Sequence, residues 1–136
     1  MWARAGDAEV SVSAPGTGGA DADIEIKPIS PDAARIWITV AGDDVDFVLG
    51  EACRYGITRG RAGSVEDCAN EVAAVCGAVA AGRFWEHVWR RSGRVVGAEG
   101  FLEIEGREHH LRDNSWLRLP GSTKETLHFS PYGAHT

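Results

Sequence analysis

One segment combines two arginines, glycines and the start of a predicted helix. It covers residues 58–64 (TRGRAGS) and lies between a predicted strand and an amphipathic pattern. Free backbone N–H groups and the helix dipole favour an anion at such a helix start. Arg59, Gly60, Arg61 and Gly63 therefore form a candidate binding loop for a phosphorylated, nucleotide or CoA-like ligand.

This loop is not a Walker A motif, because no Gly-Lys-Ser/Thr follows it. It distantly resembles the Arg/Gln-x-x-Gly-x-Gly/Ala pyrophosphate loop of the GNAT acetyltransferases, which implies a small transferase that binds CoA. Its glycines stand at other positions, however, and the two helices expected after the first strand are missing from the pattern. Glu66 and Asp67 also repel an anion there. A basic loop followed by an ordinary N-cap at Ser64 is the favoured interpretation.

Four glutamates in two predicted strands raise the question of acid–base chemistry. Glu86 and Glu99 are predicted to be cross-strand neighbours, with Glu103 and Glu105 on the same surface. Like charges held opposite each other raise the pKa of one carboxyl group. The pattern is also typical of the solvated face of an antiparallel sheet, which is the favoured interpretation.

The histidines and cysteines lack the spacing of a metal site. His109 and His110 are neighbours on a predicted strand and therefore face opposite ways. The sequence contains neither Cys-x-x-Cys nor His-Glu-x-x-His. The acids within 43–51 could hold calcium, but a hairpin turn rich in Asp needs no ion. We therefore expect no metal and no cofactor.

The negative charge is concentrated in one part of the chain. The net charge is −6, and residues 23–52 hold seven acids against Lys27 and Arg35. Such a surface repels a phosphate backbone and attracts a basic protein. We therefore expect a basic protein partner and no nucleic acid.

Trp37 adds a candidate contact residue to this acidic region. In the predicted strand 35–40, Trp37 faces away from the apolar residues and shares its side with Arg35 and Thr39. A large aromatic residue on the polar side of an acidic sheet is typical of a contact anchor. Cover by the protein's own loops is the alternative. The predicted partner-binding residues are Trp37, Asp43, Asp44 and Asp46.

A change of hydrophobic period separates strands from one helix. The strand-like segments are 24–27, 35–40, 45–49, 53–58, 83–91, 94–105, 109–112 and 126–129. Residues 64–81 instead follow a helical period, with Ser64 as N-cap and Gly82 as the stop. The sequence thus predicts an α+β fold: an antiparallel sheet of about six to seven strands with one main amphipathic helix (about 64–81) packed on one face, in the order β-β-β-(β)-α-β-β-β.

The dipeptide Ser92-Gly93 predicts a tight hairpin between the two strands after the helix. A two-residue loop would place Trp89 opposite Val96 and bring Trp85, His87 and Trp89 to one surface. We expect the helix to pack on this tryptophan surface, with His87 half-buried.

Composition sets the domain boundaries. Residues 1–22 are rich in Ala, Gly, Asp and Ser and are predicted to be a disordered leader, with a single α+β domain at 23–136. The chain has no apolar run long enough to cross a membrane and no secretory signal. Its three cysteines have no paired spacing. This favours the reducing cytoplasm.

These observations favour a small acidic protein-interaction module over an enzyme. Its expected role is to sequester or neutralise a macromolecular partner, as immunity proteins, antitoxins and dedicated chaperones do. Two alternatives stay open. One is a domain or small transferase that binds an anion, a nucleotide or CoA through the loop Arg59–Gly63. The other is a structural homodimer.

Overall fold

Nine strands and one helix form within the residues that the computed structural model describes, which are 6–13, 21–58, 63–112 and 121–133. The strands before the helix are β1 (Ala8–Ser13), β2 (Ala22–Pro28), β3 (Ile36–Ala41), β4 (Asp44–Leu49) and β5 (Cys53–Thr58). The helix α1 spans Val65–Ala80, and it is followed by β6 (Phe84–Arg91), β7 (Arg94–Ile104), β8 (Arg107–Arg112) and β9 (Thr123–His128).

The strands pair into two antiparallel sheets. The first sheet is a meander in the order β1-β2-β3-β4-β5, and the second has the order β8-β7-β6-β9. The predicted α+β class, with antiparallel pairing and one main helix, is confirmed. The strands divide between two sheets, however, with β1 to β5 in one and β6 to β9 in the other.

The ends of α1 follow from local sequence. Ser64 and Asp67 form a capping box: the Ser64 Oγ accepts from the Asp67 N–H at 3.1 Å, and the Asp67 carboxylate accepts from the Ser64 N–H at 3.1 Å. The helix stops before Gly82, whose φ of +76° suits a residue without a side chain. The predicted helix at about 64–81 is therefore confirmed.

One hydrophobic core joins α1 to the inner faces of both sheets. The first sheet contributes alternate residues such as Ile36, Ile38 and Phe47, and α1 contributes Val75 and Val79. This period-two burial leaves the other face of the first sheet to solvent.

The hairpin of β6 and β7 has a different register from the predicted one. Arg91 lies opposite Arg94 as expected, but a β-bulge between Trp89 and Arg90 places Trp89 opposite Gly97 rather than Val96. Strand β7 has one extra residue at the bulge. Beyond it, each side chain of β7 therefore lies on the opposite side of the sheet from the predicted one. The bulge also keeps apart Glu86 and Glu99, whose carboxylates the predicted register would have set opposite each other.

The prediction that α1 packs on the tryptophan surface is therefore wrong. The inner face of the second sheet carries Phe84, Glu86 and Val88 from β6, with Ala98 and Leu102 from β7, and all five are buried. The tryptophan surface lies on the opposite side of this sheet, because alternate residues of a strand face opposite ways.

Glu86 connects the two sheets from this inner face. It is fully buried, and its carboxylate accepts from the N–H groups of Glu51 at 2.5 Å and Ala52 at 3.3 Å, in the turn between β4 and β5. Gly50 precedes them with a φ of +65°, and a Cβ there would lie 2.5 Å from the Glu86 carboxylate. Burial raises the pKa of Glu86 to about 7, although the turn N–H groups oppose the shift. Glu86 is thus part of the core and not of a wet sheet face.

Strand β1 lies within the segment predicted to be a disordered leader. Ala8–Ser13 pairs with β2 over six residues, from Ala8 opposite Pro28 to Ser13 opposite Asp23. Main-chain pairing orders a strand even where little apolar area is buried, so the leader prediction does not hold for these residues. In the part of the chain that the structure describes, no helix is long and apolar enough to span a membrane.

Candidate functional site

The outer face of the first sheet, opposite the core, is the candidate site. Its residues are exposed or half-exposed along all five strands, so no described segment covers this face. Five acids and two bases project from it: Glu9, Asp23, Glu25, Asp44 and Asp46, with Lys27 and Arg54. The face is therefore acidic, as the charge distribution predicted.

Trp37 and Val48 form the apolar centre of this face. They lie directly opposite each other on β3 and β4, and they are 42% and 37% exposed. Cross-strand neighbours on one side of a sheet contact each other, so the two side chains make one continuous apolar surface. Glu25 lies opposite Trp37 on β2, and Arg54 lies opposite Val48 on β5.

Asp46 lies in a depression beside this centre. The depression has a volume of about 570 Å³ and is lined by Thr39, Asp46, Val48, Arg54 and Gly56, among others. Gly56 lies opposite Asp46, and a Cβ there would be 3.1 Å from the Asp46 carboxylate. A larger residue would thus crowd this carboxylate. Asp46 is exposed, and it makes no ion pair with a described residue.

A second groove extends the face towards the other sheet. It has a volume of about 380 Å³, shares Val48 and Arg54 with the depression, and reaches Val95 and Val96 at the start of β7. Glu51 lies at its side and is 3.2 Å from Arg90. An extended segment could therefore contact Trp37, Asp46 and this groove together.

The other predicted partner-binding residues lie at one end of the same face. Asp43 and Asp44 are exposed at the turn between β3 and β4. Asp21 lies nearby, because its carboxylate accepts from the Gly42 N–H at 2.8 Å. Three carboxylates therefore gather at this end, two of them predicted from the sequence.

The predicted anion loop falls largely outside the described residues, which exclude Arg59, Gly60 and Arg61. Gly63 is described, and a Cβ there would lie 2.8 Å from the Asp67 carboxylate. This carboxylate already accepts from the Ser64 N–H at the start of α1. At the start of α1, the Asp67 carboxylate thus occupies a position where an anion would bind. The anion site itself stays a prediction.

A histidine–glutamate cluster lies on the outer face of the second sheet. Glu99 bridges two imidazoles: its carboxylate oxygens are 2.9 Å from His87 Nδ1 and 2.9 Å from His110 Nε2. The Phe101 ring stacks on His110 at 4.7 Å and on Trp85 at 5.6 Å. His87 is half-buried, but it lies on the face away from the core and not beneath α1 as predicted. The cluster joins β6, β7 and β8, which indicates a structural role.

Two other kinds of site were considered from the sequence, an acid–base pair and a metal site. Glu86 and Glu99 are on opposite faces of the second sheet, so they do not form an acid–base pair. Among the described residues, no group of three or more His, Cys, Asp or Glu side chains is arranged to hold a metal ion.

We expect Glu99 to stabilise the fold above its ordinary pKa of 4.5. Burial raises its pKa, but the hydrogen bonds and charges of His87 and His110 more than offset this, and the net pKa is lowered. A lowered pKa means that the stabilisation is present above pH 4.5 and is lost as pH falls through the folded-state value. Acid unfolding followed by circular dichroism should show this loss relative to Glu99→Gln. Equal acid sensitivity of the two proteins would contradict it.

Sequence reasoning missed Val48, Gly56 and the groove at Val95. Val48 alternates with Phe47 and Leu49 on β4, so its outward direction was available from the pattern of that strand. The depression forms because Gly56 pairs with Asp46, and the groove forms where the two sheets contact each other. Neither arrangement can be predicted from a local sequence pattern.

No family model, curated protein or solved structure matches this chain.

Proposed function

We propose that this protein is a small acidic interaction module that binds a basic protein segment on the outer face of its first sheet. The observation that carries the proposal is the exposed pair Trp37 and Val48 beside the carboxylate of Asp46, which makes no ion pair with a described residue. Interfaces depend on a few large side chains at their centre, surrounded by polar residues that exclude water.

A lysine or arginine side chain fits this arrangement. Its aliphatic stem can lie along Trp37 and Val48, while its charge reaches the Asp46 carboxylate. Glu25, Asp23 and Asp44 add negative charge around the contact and increase the rate of encounter with a basic partner. Arg54 also lines the depression and favours an acidic or carbonyl group of the same partner.

Within this class, we infer that the protein sequesters or neutralises its partner, as immunity proteins, antitoxins and dedicated chaperones do. A face without a deep cavity suits the covering of another macromolecule better than the capture of a small substrate. The cytoplasm is the proposed location. Cys53, Cys68 and Cys76 are all buried and form no disulfide, and burial raises the pKa of Cys76 to about 11, which keeps this thiol unreactive.

A random peptide library tests the proposal without a known partner. We expect dodecapeptides displayed on phage and selected on the immobilised protein to be enriched in Lys and Arg next to a large apolar residue. Trp37→Ala should weaken the selected peptides about tenfold or more, because it removes the central apolar contact. Asp46→Asn should weaken them less, and it should reduce the salt dependence of binding. Biolayer interferometry at two salt concentrations measures both effects.

The matched control is Val65→Ser, which alters a 64% exposed valine at the start of α1, in a groove on the core side of the first sheet that also borders Asp43. It should leave the affinity unchanged. Selection of acidic or uncharged peptides, or equal binding by wild type, Trp37→Ala and Asp46→Asn, would overturn the proposal.

A further inference from the structure

Strand β1 presents an unpaired edge. It pairs with β2 on one side, and no described strand lies on its other side. An edge strand displays a row of N–H and C=O groups that can pair with another chain. Five of the six residues of β1 are exposed, so these groups are accessible.

The side chains of β1 are apolar on one side. Val10 and Val12 lie opposite Ile26 and Ile24 of β2, on the side of the sheet that faces the core. They are nevertheless 61% and 68% exposed. The apolar inner face therefore extends beyond the part of the sheet that the described residues cover.

The other edges of the sheets are better protected against pairing. Strand β8 begins with Arg107 and Glu108, and β9 carries Lys124 and Glu125. Charged residues on an edge discourage the addition of a further strand. Strand β5 lies against β7 and β8. The centre of β1, Val10–Val12, has neither charge nor proline.

We propose that β1 pairs in antiparallel register with β1 of a second copy of this chain, about a two-fold axis beside Ser11. Val10 then lies opposite the partner's Val12, Ser11 lies opposite the partner's Ser11, and Glu9 lies opposite the partner's Ser13. No like charges meet across this contact, and two Val–Val pairs form on the apolar side. The register centred on Val10 would form one Val–Val pair instead.

The net charge of each copy determines how dimerisation depends on salt concentration. Each chain has a net charge of −6, so the copies repel each other at low salt. The contact is narrow, as in weak and transient complexes. The dimer should therefore become tighter as salt screens the repulsion, whereas the binding of a basic segment at Trp37 becomes weaker.

Cysteine cross-linking tests the register directly. Facing residues of antiparallel strands have Cα atoms about 4.5–5.5 Å apart, which allows a disulfide. Under oxidation by copper phenanthroline, Ser11→Cys should cross-link to itself. Glu9→Cys alone and Ser13→Cys alone should not, but an equal mixture of these two variants should. The wild-type protein, whose native cysteines are buried, is the control for background cross-linking. Equal cross-linking of all three single variants, or none by Ser11→Cys, would overturn the register.

Sedimentation equilibrium with two matched variants tests the interface itself. Val12→Lys places two charges against the opposing strand and should give a monomer, while Val65→Lys, the same change on exposed α1, should associate like the wild type. Wild type that stays monomeric up to about 1 mM at high salt would overturn the proposal. So would a dimer that Val12→Lys leaves intact. Val12→Lys should still bind the selected basic peptides, and Trp37→Ala should still dimerise, so failure of one proposal is distinguishable from failure of the other.

Discussion

Between pH 4.5 and about 7, the wild-type protein is expected to lose about 3 kcal/mol of unfolding free energy relative to the Glu86→Gln variant. Burial raises the pKa of the Glu86 carboxyl from 4.5 to about 7, against the opposing effect of the Glu51 and Ala52 N–H groups. Within this window the folded protein keeps a proton that the unfolded chain has released. Stability therefore falls as pH rises through the window and changes no further above it.

Urea unfolding across this pH range measures the difference. Glu86→Gln removes the ionisation while it keeps the size of the side chain. Glu103→Gln, which alters an exposed carboxyl group on β7, should follow the wild-type curve. Parallel curves for wild type and Glu86→Gln would contradict the expectation. A wild type that gains stability with rising pH relative to Glu86→Gln would show that the turn N–H groups outweigh burial.

Gly100→Ala is expected to cost about 3 kcal/mol of unfolding free energy, at the upper end of the usual cost of overpacking a core. Gly100 lies on the inner side of β7, opposite Glu86 and Leu111. A Cβ there would be 2.9 Å from the Phe84 ring and closer still to the Cys53 Sγ. Both neighbours are fully buried, so neither can move into solvent. Thermal and urea unfolding would measure the loss.

A double-mutant cycle with Cys53→Ala tests the cause. Removing the Cys53 sulfur makes room for the new methyl group, so the double variant should be more stable than the sum of the two losses predicts, by about 1 kcal/mol or more. Additive losses would show that the sheets do not approach each other closely at Gly100.

The helix and most strands were predictable because their signals are local. Ser64, Asp67 and Gly82 mark the ends of α1 within the sequence itself, and alternation reveals the strands from β2 to β7. The division into two sheets was not predictable, since it depends on which strands pair across long separations. Strand β1 was missed because the surrounding composition is polar, although Val10 and Val12 alternate with polar residues.

The register of the second hairpin shows how one residue changes an interpretation. The turn at Ser92-Gly93 was predicted, with φ values of 52° and 77° in the structure. The bulge exchanged the faces of β7, so Glu86 shares its face with Ala98 and Leu102 rather than with Glu99, and this face is buried. Gly97, opposite Trp89, was the available signal, because an isolated glycine within a strand often marks a bulge.

The candidate site was predictable in part. The alternation around Trp37 predicted that it points away from the core, and its exposure agrees with that. The neighbours of Trp37 follow from the pairing of β3 with β4, which places Val48 beside Trp37 and Asp46 beside Thr39. The groove that continues to Val95 depends on packing between the sheets, which no local pattern contains.

The most direct test of the proposed binding face is a titration of ¹⁵N-labelled protein with a selected basic peptide, followed by heteronuclear NMR. We expect the largest shifts at the Trp37 indole N–H and at the backbone amides of Val48, Asp46 and Arg54, with small changes on α1 and on β6–β9. Shifts concentrated on α1 or on the second sheet, with the Trp37 indole signal unmoved, would contradict the account.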